Sequence, residues 1–165
     1  MKYLLDANTY IQAKNLYYQM DFCPAYWDWL DLQFQQGVVG SVGMVGRELK
    51  DGDDELATWV AARQHHFIDD SDAVTQANFA QIVQSVAAVN HYNPANRDQF
   101  LAKADPWLIA KAMSIGAIVV TQEGLVNPSS TKVKVPNICR EFNVSFINTY
   151  DLLREVKARF VLDTN

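Results

Sequence analysis

The sequence has few cysteines, no long apolar run and no excess of positive charge. Its two cysteines, Cys23 and Cys139, lie far apart and outside any CxxC or Cys/His spacing, which favours reduced, partly buried thiols over a redox or metal role. No apolar run approaches the ~20 residues that cross a bilayer, so no membrane span is predicted. The formal net charge of −5 does not favour nucleic-acid binding through bulk electrostatics, and a polyanion would need a metal ion or a local basic patch.

The composition is that of a folded globular protein, with 49% apolar and 20% charged residues. At 165 residues the chain is long enough for one domain with its own core. Met1 and Lys2 lead directly into a strand pattern, without the apolar region and cleavage site of a secretory signal. We therefore expect a single cytoplasmic domain over residues 1–165.

Short apolar stretches alternate with helical patterns along the chain. The clearest strand is 117–121, which is rich in β-branched residues and free of charge, as expected for a strand buried on both faces of a parallel sheet. Further strands are predicted at 3–5, 38–41 and 144–147. This alternation predicts an α/β fold, three-layer α/β/α with a mainly parallel central sheet.

Several polar residues at predicted helix starts are interpreted as N-caps. They are Ser41, Asp105, Thr149 and, as one of two alternatives, Asn8. The helix predicted at 25–36 is rich in aromatic residues, for which packing in the core or against a partner is the favoured explanation. Residues 131–135 alternate in polarity, so that both lysines point one way and both valines the other.

Four acidic residues stand out by their context. Asp6 ends the first strand, and Glu123 follows the clearest strand by two residues. Asp105 stands at a helix start, and Glu48 lies late in another helix. In a doubly wound sheet the two strand ends can lie side by side, which would place Asp6 and Glu123 in one crevice with Asp105 and Glu48 over it. The alternative is four independent helix caps and surface charges.

Several carboxylates in one cleft need a cation, because like charges otherwise prevent them from ionising together. Oxygen ligands of this kind suit Mg²⁺ or Mn²⁺, which take one or two carboxylates, several waters and phosphate oxygens. Such an ion activates water and stabilises the leaving oxygen in phosphodiester cleavage. If the four residues meet, they predict a magnesium or manganese site for this chemistry.

Four motifs resemble those of PIN-domain nucleases, in the same order and in the same helix or strand context. They are Leu4–Ile11, where a strand ends in Asp, a small residue and Asn; Glu48–Leu49; Asp105–Ala112; and Val119–Glu123, with an acidic residue two positions after Thr. The resemblance covers nearly the whole chain and implies a PIN-like fold. The chain departs from the pattern in having Glu rather than Asp at position 123. It also has a longer stretch before Asp105, which suggests a helical insertion at about 52–96.

The resemblance also implies a ligand set. Asp6 and Asp105 would be the principal ligands of Mg²⁺ or Mn²⁺. Glu48 and Glu123 would complete the ring directly or through water, and the longer side chain at position 123 would shift its contact by one bond or make it indirect.

Four further residues would support this site. Asn8 and Thr121 would position Asp6 or a bound water, although capping also explains Asn8 and strand propensity also explains Thr121. Lys132 and Lys134 would contact phosphates or, alternatively, protect an edge strand from pairing.

The function that the resemblance implies is a metal-dependent endoribonuclease acting on RNA, the toxin of a toxin–antitoxin pair. An antitoxin would cover the acidic site or the aromatic helix, where Trp27, Trp29 and Phe34 are candidates for that interface or for a homodimer contact. The alternative is a PIN-like binding or regulatory module with weak or lost nuclease activity. A phosphatase with Asp6 as nucleophile is disfavoured, because Asn8 stands where such enzymes need a second Asp.

Overall fold

A parallel β-sheet forms the centre of the protein, in a computed structural model that describes residues 1–161. Within these residues the sheet has five strands, in the order β3-β2-β1-β4-β5, and every neighbouring pair is parallel. The strands are β1 Tyr3–Leu5, β2 Val39–Val42, β3 Phe67–Ile68, β4 Ile118–Val120 and β5 Phe146–Ile147. The predicted α/β fold with a mainly parallel sheet is confirmed.

Helices connect the strands and cover the sheet. They are α1 Ala7–Asn15, α2 Pro24–Gln35, α3 Gly43–Lys50, α4 Glu55–Ala61, α5 Ala73–Ala88, α6 Pro94–Ala102, α7 Asp105–Ile115, α8 Val135–Glu141 and α9 Thr149–Glu155. Crossovers between parallel strands are right-handed as a rule, so connections that run outward from β1 to β3, and on the other side from β4 to β5, place helices on both faces of the sheet. None of the helices within residues 1–161 has the length and apolar character that a bilayer crossing requires.

β1 and β4 are neighbours in the sheet although they are far apart in the chain. Successive strands are added on one side of β1 and then, from β4 onward, on the other side, so a topological switch point lies between β1 and β4. Their register pairs Leu5 with Val120, so the next residues, Asp6 and Thr121, leave the sheet side by side. The Asp6 N–H donates to the Val120 carbonyl oxygen at 3.0 Å. Open α/β sheets bind ligands in the crevice at such a switch point. The predicted adjacency of these two strand ends is confirmed.

The segment predicted as a helical insertion, 52–96, contains α4, β3, α5 and the start of α6. β3 extends the sheet as an edge strand, and α5 packs along α7, where Phe79 stacks on Trp107 with 3.9 Å between ring centroids. Sequence analysis missed β3, because two residues are too few to show an alternating pattern. The segment shares the core of the rest of the chain, and its status as an insertion stays a prediction.

Two aromatic side chains of α2 belong to the core and are not available to a partner. Trp27 and Phe34 are only 4% and 6% exposed. Trp27 packs edge-on against Trp59 of α4, and Phe34 stacks on the buried ring of His66. The prediction that Trp27 and Phe34 offer an interface is wrong, because other parts of the same chain already cover them. Trp29 is partly exposed.

The helix caps predicted at Ser41 and Thr149 are wrong. Ser41 lies within β2, where its hydroxyl donates to the Leu5 carbonyl oxygen at 2.6 Å instead of capping α3. The cap of α9 is Asn148, which leaves the hydroxyl of Thr149 without that role. Neighbouring polar residues have similar cap preferences, so the sequence does not show which of them has the extended backbone of an N-cap.

Residues 131–135 form a loop and the first residue of α8 rather than a strand. The predicted alternation in burial is nevertheless present, with Val133 and Val135 buried, Lys132 exposed and Lys134 partly exposed. Protection of an edge strand therefore no longer explains the two lysines.

Gly46→Ala is expected to destabilise the protein by about 1–2 kcal/mol, despite the better helix propensity of alanine, because the methyl group overpacks the contact between α3 and β3. A Cβ at position 46 would lie 2.8 Å from Cγ of Phe67. The measurement is the free energy of unfolding in urea, with Gly124→Ala as the control, since a Cβ there meets no atom within 4 Å. Equal stability of the two variants would contradict the packing of β3 on α3.

Candidate metal centre

Asp6 is fully buried at the carboxyl end of β1 and caps α1. Its Oδ1 accepts two hydrogen bonds from Thr9, from the backbone N–H at 2.7 Å and from the hydroxyl at 2.7 Å. Within residues 1–161, Oδ2 is also buried but has no hydrogen-bond partner. The roles of cap and of metal ligand are compatible here, because they use different oxygens of one carboxylate.

Thr9 orients the Asp6 carboxylate, a role that was predicted for Asn8 and Thr121. Thr121 also acts on this carboxyl group, because its side chain lowers the pKa of Asp6. Asn8 is the second residue of α1 and exposed, and its predicted capping role is wrong because Asp6 is the cap. The pKa of Asp6 is raised to about 6, because burial raises it by more than the nearby hydroxyl groups of Thr121 and Thr9 lower it. The missed signal was the Asp-x-x-Thr spacing at a helix start, where the fourth residue donates back to the cap.

Asp105 is the first residue of α7 and not its N-cap. Ala104 occupies the cap position without a side-chain hydrogen bond, so the predicted capping role of Asp105 is wrong. Burial, together with the negative charges of Asp6, Glu123 and Glu48, raises the pKa of Asp105 to about 7. The structure therefore brings the other three predicted carboxylates within electrostatic reach of Asp105.

Glu48 and Glu123 are each held by a lysine and a backbone N–H. Glu48 Oε2 accepts from the N–H that precedes α7 at 3.2 Å, and its Oε1 lies 3.8 Å from Nζ of Lys103. Glu123 Oε1 accepts from Nζ of Lys134 at 2.7 Å, and its Oε2 accepts from the first N–H of α8 at 2.8 Å. These two carboxylates therefore anchor the starts of α7 and α8 at the site.

A cleft of about 220 Å³ opens beside these carboxylates. Its walls carry Asp105 and Glu123 together with three lysines: Lys103, Lys132 and Lys134. Asn8 and the α6 residues Asn96 and Gln99 also line it. Both lysines that were predicted as phosphate contacts thus lie in the cleft, although Lys134 already pairs with Glu123. Sequence analysis missed Lys103, because an isolated lysine carries no pattern.

The carboxylates fit Mg²⁺ or Mn²⁺ through two protein ligands rather than four. Within residues 1–161, no three His, Cys, Asp or Glu side chains are arranged to hold a metal ion. Asp6 keeps a buried oxygen without a partner, and Asp105 lines the cleft next to it. One or two carboxylates with several waters are the usual protein share of a magnesium site. Glu48 and Glu123 instead contact lysines and accept hydrogen bonds from backbone N–H groups.

Comparison with known proteins identifies a family and a similar fold. The family described as "Domain of unknown function (DUF4411)" matches residues 3–160. No curated protein matches the chain. Among solved structures, a chain in the crystal structure of VapBC2 from Rickettsia felis bound to a DNA fragment from their promoter is similar, with a TM-score of 0.53 and 16% sequence identity. The match covers 90% of this chain and 98% of that chain.

At this level of identity the likeness to the Rickettsia chain shows the fold alone. It spans nearly the full length of both chains. The PIN-like fold predicted from the sequence motifs is thereby confirmed.

Proposed function

This chain belongs to the DUF4411 family of domains of unknown function, and from that premise we propose that it is a metal-dependent endoribonuclease that cleaves RNA phosphodiester bonds. One observation carries the proposal: the buried Asp6 and the partly buried Asp105 lie near each other at the switch point of the sheet, and the pKa values of both carboxyl groups are raised. Buried carboxylates with perturbed pKa values in a cleft are typical of functional sites. Their mutual repulsion is the cost that a bound cation removes.

Asp6 and Asp105 would hold Mg²⁺ or Mn²⁺, the cofactor proposed here. Thr9 fixes the Asp6 carboxylate so that Oδ2 stays available. Bound there, the ion would supply an activated water and stabilise the leaving oxygen of the phosphodiester. Asp105 is deprotonated only above about pH 7, so the site is ready for a cation at neutral to alkaline pH.

The lysines of the cleft would bind the RNA backbone. Lys103 and Lys132 line the same cleft as Asp105, and they offer a local positive patch in a protein whose formal net charge is −5. Lys134 would hold Glu123 in place rather than contact a phosphate directly, because its Nζ is 2.7 Å from that carboxylate. Phosphate contacts of this kind position a strand without reading its sequence.

A protein partner is part of the proposal. The similar Rickettsia chain comes from VapBC2 bound to promoter DNA, and the PIN-like motifs resemble those of toxins from toxin–antitoxin pairs. We propose that this chain is the toxin of such a pair and that an antitoxin covers the acidic cleft. A cationic side chain of the partner would match the carboxylates there.

A second candidate function is a PIN-like binding or regulatory module with weak or lost nuclease activity. The hydrogen bonds of Glu48 and Glu123 favour it, because both carboxylates are occupied by lysines and helix starts. Within residues 1–161 only two of the four carboxylates then remain for a metal, and two ligands hold it more weakly than four.

The purified protein is expected to cut single-stranded RNA when Mn²⁺ is added and to stop when the ion is chelated. The physical reason is that the carboxylates alone repel a phosphodiester, whereas a bound cation attracts and polarises it. Cleavage of an end-labelled RNA is measured in parallel with Mn²⁺ binding by calorimetry, and DNA of the same sequence serves as the comparison substrate.

The two candidate functions differ in these measurements. Saturable Mn²⁺ binding together with cleavage that requires the ion supports the nuclease. Absence of both supports the binding module. Cleavage that persists in chelator contradicts a metal site in the cleft.

A further inference from the structure

A second depression lies next to the cleft, and we call it the tyrosine groove. It has a volume of about 140 Å³, and its principal lining residues are Thr9, Gln12, Tyr17, Gln122, Thr149 and Tyr150. Asn8 and Glu123 line the cleft, whereas their chain neighbours Thr9 and Gln122 line the groove. The two depressions therefore adjoin each other at α1 and at the segment after β4.

The chemistry of the tyrosine groove differs from that of the cleft. None of its lining residues is charged. Tyr17 and Tyr150 are 68% and 42% exposed, and their rings meet edge-on with 6.5 Å between centroids. Gln12 and Gln122 add amide groups, each of which offers donors and an acceptor. Aromatic rings with adjacent amides are the means by which proteins stack a nucleobase and read its edge.

Thr149 gives an independent indication that the groove takes a ligand. Its side chain is 97% buried, lines the groove, and has a hydroxyl without a hydrogen-bond partner within residues 1–161. An unpaired buried hydroxyl costs about 1–3 kcal/mol, so native proteins seldom leave one unsatisfied. Because Asn148 caps α9, capping does not use this hydroxyl. A polar ligand in the groove would satisfy it.

We propose that the tyrosine groove binds one unpaired nucleobase of an RNA strand whose phosphate lies in the adjacent cleft. This inference rests on the proposed function for the position of the phosphate. An uncharged, aromatic groove suits a base and not a phosphate, while the lysines of the cleft suit the phosphate. A base in the groove has left its helical stack, so the groove selects single-stranded over double-stranded RNA.

Nucleosides test the groove without the metal site, because they carry no phosphate and binding needs no catalysis. Adenosine, guanosine, cytidine and uridine are titrated in turn into the full-length protein, and amide chemical shifts are followed by NMR. At least one nucleoside is expected to shift the side-chain amides of Gln12 and Gln122, since these would pair with the edge of the base.

Substitutions in the groove separate stacking from folding. Tyr17→Ala and Tyr150→Ala are each expected to weaken nucleoside binding about tenfold, the size of the loss of one base–aromatic stack. Tyr150→Phe should retain binding, because it keeps the ring. Phe22→Ala is the matched control: Phe22 is 62% exposed but does not line the groove.

Thr149→Val tests the unpaired hydroxyl. The substitution keeps the shape of the side chain and removes the oxygen, so stability is expected to stay the same or rise. Nucleoside affinity is expected to fall or the preference among the four bases to change. A hydroxyl with a purely structural role would show the opposite pattern, lower stability with unchanged binding.

Each outcome decides the inference. Nucleosides that shift no groove residue, or that shift only cleft residues, overturn it. Groove variants that weaken binding of a partner protein while nucleosides leave the groove unaffected identify a protein-docking surface instead. Nucleoside binding in the groove of a protein that fails to cleave RNA would retain the base site and reject the proposed nuclease function.

Discussion

Asp6→Asn and Asp105→Asn are each expected to lower the rate of metal-dependent RNA cleavage by about 10²-fold or more, the size of loss seen when a principal electrostatic group is removed from an active site. Each substitution removes one of two proposed ligands without changing the size of the side chain. An amide oxygen carries no charge and binds a divalent cation more weakly. The measurement is kcat/KM on a labelled single-stranded RNA at fixed Mn²⁺.

Two controls keep loss of chemistry apart from loss of fold. Asp98→Asn makes the same change of charge on α6 at a side chain that is 67% exposed, and it should leave cleavage unchanged. Asp6→Asn keeps the cap of α1, because an amide oxygen still accepts from Thr9. Asp6→Ala removes that cap and should cost about 0.5–2 kcal/mol more stability than the Asn variant. Full activity of both Asn variants would reject the assignment of the site.

The same carboxylates make the metal-free protein less stable as the pH rises. Asp105 has a pKa of about 7 in the folded protein and 3.8 as its ordinary value, so between these limits the folded state holds a proton that the unfolded state has lost. Stability falls with pH wherever the folded state binds more protons. Asp105→Asn is therefore expected to be more stable than the wild type at pH 8, by about 2–4 kcal/mol at ~1.4 kcal/mol per pKa unit.

The difference between wild type and variant is the quantity to measure. His66, whose pKa burial lowers to about 4, opposes the trend because it makes the protein more stable as the pH rises towards its ordinary value of 6.5. It is present in both proteins and cancels in the difference. Urea unfolding at several pH values should give no difference near pH 4 and a growing one up to about pH 7.5. A difference that is constant with pH would show that the Asp105 carboxyl titrates normally.

Manganese should reverse this order of stability. A cation that binds the ionised carboxylates of the folded state stabilises the wild type by mass action, whereas the Asp105→Asn variant has lost one ligand. At pH 8 the melting temperature of the wild type is therefore expected to rise with Mn²⁺ and that of the variant to change little.

The features that sequence analysis predicted correctly are those with local signals. The strand at 118–120 is apolar and β-branched, and the one at 3–5 is an unbroken apolar run. A parallel sheet that reverses between them follows from the alternation of strands and helices. The side-by-side position of Asp6 and Thr121 could be predicted for the same reason, since each residue directly follows one of these strands.

The details of the site could not be predicted, because they depend on contacts between distant parts of the chain. Glu123 contacts Lys134 and the start of α8, and Glu48 contacts the backbone before α7. No pattern in the sequence links these pairs. Lys103 enters the cleft because α6 leads directly into α7, a geometry set by packing.

The sequence by itself determined that four acidic residues stand at the ends of strands and helices of an α/β fold. The tertiary structure decided which of their oxygens are free. Within residues 1–161, Oδ2 of Asp6 has no hydrogen-bond partner, because Thr9 donates only to Oδ1. Asp105 lines the cleft because it is the first residue of α7 and not the residue before the helix. Glu48 and Glu123 form ion pairs with lysines and accept hydrogen bonds from backbone N–H groups. Hydrogen-bond geometry at this scale depends on packing across the whole domain, which local sequence preferences do not encode.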